Sequence, residues 1–266
     1  MADLLWHIDG ANLTGWRIQA ASVWRAPVST RRSVITSPGR HGVKQVNGLV
    51  LDEPTVELVL QPLGSSQVEI EDLDQSLMRL ISKDRLVLRR TSGGRVAEAE
   101  ARLVSLTPDL FVYPTLARYL LTLALPGVFF RDPAAISSAA IAAQANVVDA
   151  PLTALAGGSG PISDAVVRVA GPCTQVSVSD PASGTGLSWS GSLAAGSYLY
   201  LDAASLSARI STSASAWDSG GTVVTGGLDY PAAGPLQLWP HPAISVTGVG
   251  RAATTTVMVR ARRAFL

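Results

Sequence analysis

The sequence predicts a mainly β protein of two domains, an N-terminal β domain carrying one amphipathic helix and a C-terminal β-sandwich. Three observations lead there. Short stretches of alternating apolar and polar residues recur along the chain, the period of half-buried strands. One stretch alone, 72–82, has clear helical spacing. Charge also changes character midway: residues 1–133 hold 15 of the 21 Lys+Arg and 14 of the 20 Asp+Glu, and the remainder holds no Glu at all. The 266 residues are enough for two domains, each with its own core. The expected division is 1–133 for the first domain, 134–160 for a linker and 161–266 for the sandwich.

In the first domain, Trp6, Trp16 and Trp24 sit in short strand-like stretches. Residues 26–48 follow as a long loop or hairpin, broken by Pro27, Pro38, Gly39, Gly42 and Gly48. Val56, Leu58 and Leu60 alternate with Thr55, Glu57 and Val59, which marks a strand with one buried face. Leu73, Leu77, Met78, Leu80 and Ile81 form the apolar face of the helix, with Asp72 as its expected cap and Gln75 completing a capping box. Arg85–Arg90 and Arg95–Val104 flank Gly93-Gly94 as a hairpin. Arg89 or Arg90 is placed to pair with Glu98 or Glu100 across it. The most apolar run, Tyr119–Phe130, is too short to span a bilayer and reads as a buried strand.

Ala134–Ala145 is Ala- and Ser-rich, a short helix or a linker, and Gly157-Gly158-Ser159-Gly160 is flexible by composition. Beyond it lie strand candidates at 165–170, 174–179, 187–192, 197–202, 207–212, 236–240, 243–247 and 254–261. Turn signals such as Gly171-Pro172 and Ala195-Gly196 separate most of them, the rhythm of a β-sandwich.

Composition excludes several functions. The net charge of +1 lacks the basic surplus of a nucleic-acid or anionic-membrane binder. Cys173 is alone, so no disulfide framework or thiolate metal site is expected. The N-terminus has no basic region followed by an apolar stretch and predicts no signal peptide. Only 15% of residues are charged and the mean hydropathy is +0.27. A soluble monomer carries about 25% charged residues. Burial against other subunits accounts for the deficit, and so does an Ala- and Gly-rich β protein.

No catalytic, metal or cofactor site is expected. His7, His41 and His241 have no ligand spacing, and there is no nucleophile elbow or phosphate loop. Glu69, Glu71, Asp72 and Asp74 contain the carboxylate pair of a glycosidase. The plainer reading puts Glu69 and Glu71 on an exposed strand face and the aspartates at a helix start. Trp189, Trp217 and Trp239 are candidates for a sugar-stacking platform, against a core role for the same aromatics. Arg31, Arg32, Arg40, His41 and Lys44 in the 26–48 segment are candidates for gripping a neighbouring subunit.

The order of weak motifs resembles the siphophage distal tail proteins (Dit) over nearly the whole chain. The N-terminal resemblance rests on leading strands, Pro38-Gly39-Arg40-His41-Gly42, the amphipathic helix, the hairpin, and an apolar strand ending in Pro126 with Asp132-Pro133 after it. The C-terminal one rests on Gly160-Pro161-Ile162, Val166–Pro172 and Leu193–Asp202; Ala233-Gly234-Pro235 stands where the family often has a Pro-Gly-Asn turn. The resemblance implies a galectin-like C-terminal sandwich and a structural, non-enzymatic virion protein at the tail tip. It implies a hexameric ring joining the tail tube protein to the tail hub or tail-associated lysin, with receptor-binding proteins as further partners. The alternative function is a carbohydrate-binding adhesin for a host cell-wall glycan.

Overall fold

The computed structural model describes residues 5–19, 22, 29–31, 34–35, 44–45, 50–112, 116–239 and 241–265. The chain divides into two compact units, the first ending at Phe130 and the second running Arg131–Phe265. Both are built mainly of strands.

The first unit contains β1 (Leu5–Ile8), β2 (Ala11–Asn12), β3 (Trp16–Ile18), β4 (Thr30–Arg31), β5 (Val34–Ile35), β6 (Lys44–Gln45), β7 (Val50–Leu51), β8 (Thr55–Pro62), α1 (Gln67–Ile81), β9 (Leu86–Ser92), β10 (Arg95–Val112) and β11 (Leu116–Ala124). The strand order is β2-β1-β9-β10-β11-β8-β3. β10 is long enough to serve two neighbours. Its first part pairs with β9 up to Ala101↔Leu86, and from Arg102↔Ala124 onward it pairs with β11. Alternation places Leu103 on one face with Ala97, Ala99 and Ala101, which are buried. Leu103 itself is 38% exposed, beside the register shift that follows the change of partner.

In β8, Val56, Leu58 and Leu60 are fully buried as the alternation predicts, but Val59, expected on the other face with Thr55 and Glu57, is buried as well. Val56, Leu58 and Leu60 share the unit's apolar interior with Trp6, Ile8, Leu86, Leu88, Leu121, Leu123 and Phe130. Trp6 meets Phe130 edge to face at 6.1 Å, and the Arg90 guanidinium lies 4.3 Å from the Phe130 ring centre. Asp9 and Gly10 turn β1 into β2 with φ of 50° and 78°. Positive φ at both turn positions is what a two-residue hairpin of right-handed strands demands, and Asp-Gly supplies it readily. The β9–β10 turn uses Gly93 and Gly94 in the same way, and Arg89 pairs with Glu98 across it.

The helix differs from expectation at its start. It runs Gln67–Ile81 and its cap is Ser66, not Asp72. The Ser66 hydroxyl accepts from the Glu69 amide at 3.3 Å, and the Glu69 carboxylate reaches back to the Ser65 amide at 2.7 Å. These reciprocal bonds satisfy backbone donors that a helix start leaves open. Glu69 and Glu71 therefore lie on helix turns, not on a strand face. Ile70, Leu77 and Ile81 face inward, whereas Met78, expected with them, is 53% exposed.

β12 (Phe130–Arg131) straddles the division between the units. The second unit contains β13 (Ile136–Ser137), β14 (Ile141–Ala142), β15 (Val147–Pro151), β16 (Val166–Ala170), β17 (Cys173–Ser179), β18 (Gly186–Leu193), β19 (Tyr198–Asp202), β20 (Ser207–Ser211), β21 (Thr222–Val223), β22 (Leu228–Asp229), β23 (Ala243–Val249), β24 (Thr256–Ala261) and β25 (Ala264–Phe265). One sheet has the order β13-β24-β16-β19-β20-β21, with β14 also on β24, and the other β15-β23-β17-β18-β22.

Alternate residues of both sheets face one core. Val167, Val169, Leu199, Leu201, Val257 and Val259 come from the first sheet, and Val176, Val178, Leu187, Trp189, Ile244 and Val246 from the second. This is a β-sandwich. The 134–160 segment, expected as a linker, contributes β13 and β14 to one sheet and β15 to the other. The strand expected at 236–240 is reduced to a single bridge between Leu238 and Ile162. Asp132 holds Arg263 through its Nε at 2.7 Å and its NH2 at 3.2 Å.

Candidate functional site

Two surfaces gather polar and aromatic chemistry, one in each unit. In the second unit the first sheet turns Leu199 and Leu201 to the core, so Tyr198 and Tyr200 point to the opposite face. That face also carries Arg168 of β16, Arg209 of β20 and Arg260 of β24. The connection from β20 to β21 folds back over it. Trp217 of this connection meets Tyr200 edge to face at 5.6 Å. The Arg168 guanidinium lies 5.0 Å and that of Arg260 5.8 Å from the Trp217 ring centre.

Hydrogen bonds pin the same connection. Tyr200 donates its hydroxyl to the Ser213 carbonyl at 2.7 Å, and Arg209 donates to the carbonyls of Trp217 and Gly220. Arg168 donates to the Ala214 carbonyl, and Arg260 reaches Asp218 at 3.2 Å. Burial pushes the Tyr200 hydroxyl above its usual pKa, so it remains a donor. These groups are thus occupied in holding a loop. Trp217 is only 9% exposed.

Beside Trp217 is a polar groove of about 440 Å³ lined by residues including Asp164, Asp202, Asp218, Arg260 and Arg262. Its carboxylates already have partners. Asp164 bridges Arg131 at 2.9 Å and Arg262 at 2.8 Å, and Asp202 accepts the Ala204 and Ser205 amides. Burial lowers the Arg131 pKa, and the adjacent Asp164 opposes that shift. Among the described residues, no histidine, cysteine or serine lines the groove.

The three tryptophans are not brought together. Trp189 is buried within the sandwich core, its indole donating to the Val224 carbonyl at 3.3 Å. A Cβ at Gly191 would lie 2.4 Å from its ring, so a residue without a side chain stands there. Trp217 is on the outer face of the opposite sheet, and Trp239 is half-buried in an irregular segment.

In the first unit the candidate surface is α1. Its inner side packs on the sheet, and Val68, Glu71, Asp72, Gln75, Met78 and Arg79 face outward. An open groove of about 340 Å³ runs along the helix between Leu63, Gly64, Glu69, Asp72, Leu73 and Ser76. On the inner side Asp74 accepts a short hydrogen bond from the Tyr119 hydroxyl. Burial raises the Asp74 pKa and the neighbouring Glu71 adds to this, while the Tyr119 bond works against it. Burial and Asp74 together push the Tyr119 hydroxyl well above its ordinary value.

Of the candidate interface residues, Arg32, Arg40 and His41 lie outside the described residues, and for Arg31 and Lys44 only the backbone is described. Among the described residues no group of three or more His, Cys, Asp or Glu is placed to hold a metal. No helix among them is long and apolar enough to cross a membrane. The capping role of Ser66 and Glu69 was missed from sequence, although Ser66-x-x-Glu69 is itself a capping-box pattern.

No family model matches the chain, and no curated protein matches it in sequence. Its fold does match solved structures. The crystal structure of the Dit protein of phage SPP1, described as a paradigm of the hub adsorption apparatus in phages infecting Gram-positive hosts, aligns over 99% of this chain and 100% of its own, with a TM-score of 0.68 and 13% identity. Chains from the phage P2 baseplate in its activated conformation, with Ca and with Sr, align over 98% of both chains at 13% identity, with TM-scores of 0.45 and 0.44. From end to end, this chain has the fold of a phage distal tail protein.

Proposed function

We propose that the protein is a structural component of a phage tail tip, a distal tail subunit that forms a ring.

 The ring joins the tail tube on one side to the tail hub on the other. The observation that carries this reading is the likeness of fold over the full length of both chains, spanning both units. A role without chemistry agrees with the surfaces described above. The arginines and aromatics of the second unit are spent on anchoring a loop, and its groove carboxylates on arginines and backbone amides. The galectin-like character of the sandwich and the location in the virion tail belong to the same proposal.

Ring formation needs a head-to-tail interface whose rotation closes. The 26–48 segment supplies one side of it, with Arg31, Arg32, Arg40, His41 and Lys44 directed at a neighbouring subunit. Arginine suits this task because its planar fork binds a carboxylate through two parallel hydrogen bonds. The test is electron microscopy of the purified protein with mass by light scattering on the same sample. A closed ring of about six subunits, the number the resemblance implies, is the expected result. A chain that stays monomeric, both alone and with the tail tube protein added, overturns the proposal.

A further inference from the structure

The helix surface of the first unit has a feature that matches the basic segment. Between Leu63 and Ser76 the chain carries four carboxylates and no Lys or Arg; between Ala26 and Gly48 it carries four Lys and Arg and no carboxylate. Two of the four carboxylates are committed within the unit. Glu69 caps the helix start through Ser65, and Asp74 accepts from Tyr119. Glu71 and Asp72 are exposed on α1, and among the described residues neither forms an ion pair. Among the described residues the Glu71 side chain accepts from the Gln67 side-chain amide alone, at 2.8 Å.

We infer that this face of α1 is the docking surface for the basic 26–48 segment of a second copy of the chain. The inference rests on the ring reading above and names the acceptor of the contact. The groove beside α1 has the chemistry for an arginine side chain. Leu63 and Leu73 offer apolar walls to its methylene stem, and Asp72 offers a carboxylate to its guanidinium. Position along the helix matters too. The positive end of the helix dipole disfavours a cation at the first turn, but that effect fades within a turn. Asp72 stands beyond the first turn of a helix that starts at Gln67. Val68 and Met78, 67% and 53% exposed, flank the acidic residues and give the same face apolar area to bury.

The test uses two full-length variants. One carries Glu71→Arg with Asp72→Arg, the other Arg31→Glu with Arg32→Glu. Glu69 is left intact so that the helix cap survives. Each variant alone should assemble at least about tenfold less readily than the wild-type chain, as read by mass against concentration, because like charges then face each other. An equal mixture of the two should recover assembly, since each copy then meets a complementary neighbour. Circular dichroism checks that both variants are folded, and Glu71→Gln with Asp72→Asn serves as the milder substitute if the reversal is not. Variants that assemble like wild type, or a mixture that fails to recover, overturn the pairing while leaving the ring reading in place. Recovery only when all four substitutions share one chain also overturns it, because the contact would then lie within a single copy. A wild-type chain that does not assemble, with or without the tail tube protein, overturns both.

Discussion

At the scale of single residues, Asp74 and Tyr119 are the pair most sensitive to their surroundings. Among the described residues Asp74 Oδ1 is buried without a hydrogen-bond partner, so the Tyr119 hydroxyl on Oδ2 is the carboxyl group's main compensation. The folded pKa of Asp74 stands above its ordinary 3.8, with burial as the largest cause. The folded protein therefore holds this proton more tightly than the unfolded chain does. The stabilisation is fully present below pH 3.8 and is lost as the pH rises through the folded value. Replacing Tyr119 with Phe removes the donor and leaves an ionised carboxylate poorly satisfied. Denaturant melts of Tyr119→Phe should show a loss of about 1–3 kcal/mol near neutral pH. The deficit should narrow as the pH falls and Asp74 takes up its proton. A deficit independent of pH would mean that the hydroxyl is worth the same to both forms of Asp74, since phenylalanine keeps the ring that meets Trp16 edge to face at 5.9 Å.

At the scale of elements, the connection between β20 and β21 is held by one aromatic insertion and a set of arginine bonds. Its anchors, Arg168, Tyr200, Arg209 and Arg260, sit on four neighbouring strands of one sheet. Trp217→Ala removes the ring that three of these contacts share while leaving the sandwich core intact. Hydrogen exchange should then show protection across 212–221 falling by about tenfold or more, equivalent to ~1.4 kcal/mol of local opening. Protection in β16 and β19 should be unchanged. A loss spread over the whole sheet would make Trp217 part of the global core.

This loop also shows what the sequence could and could not tell. Strand β19 was legible, and so was the fact that Tyr198 and Tyr200 share a face. Which face was buried was not, because Tyr-Leu-Tyr-Leu is apolar on both sides and an alternation of period two gives no preference. The covering loop decides the matter, and a contact made from another element leaves no local signal. The helix start was obscured for a related reason. Val68-Glu69-Ile70-Glu71 alternates like a strand, yet Ile70 also falls on the inner face of a helix that contains Leu77 and Ile81. The 134–160 segment was obscured because Ala and Ser fit strand, helix or linker alike, so pairing with β23 and β24 had to settle it. The hairpin of β9 and β10, with its Gly-Gly turn and its Arg89–Glu98 pair, needed no such outside information.

At the scale of the whole molecule, the question is what would hold copies together. Among the described residues the strongly exposed valines, Val68, Val104, Val148, Val223 and Val249, lie on different elements. Single exposed apolar side chains are ordinary on protein surfaces and do not by themselves make an interface. The opposed charges of the 26–48 and 63–76 segments are concentrated, and their attraction depends on salt. Raising ionic strength from about 0.1 M to 1 M shortens the Debye length from about 10 Å to about 3 Å. An assembly held chiefly by Arg–carboxylate contacts at a solvent-accessible interface should therefore shift toward smaller species in sodium chloride over that range, read as mass by light scattering at fixed protein concentration. Sodium sulfate, which strengthens apolar burial, provides the contrast. An assembly insensitive to chloride and strengthened by sulfate would place its cohesion in apolar area and paired sheet edges, and the charged segments would then govern how subunits find their register more than how tightly they hold.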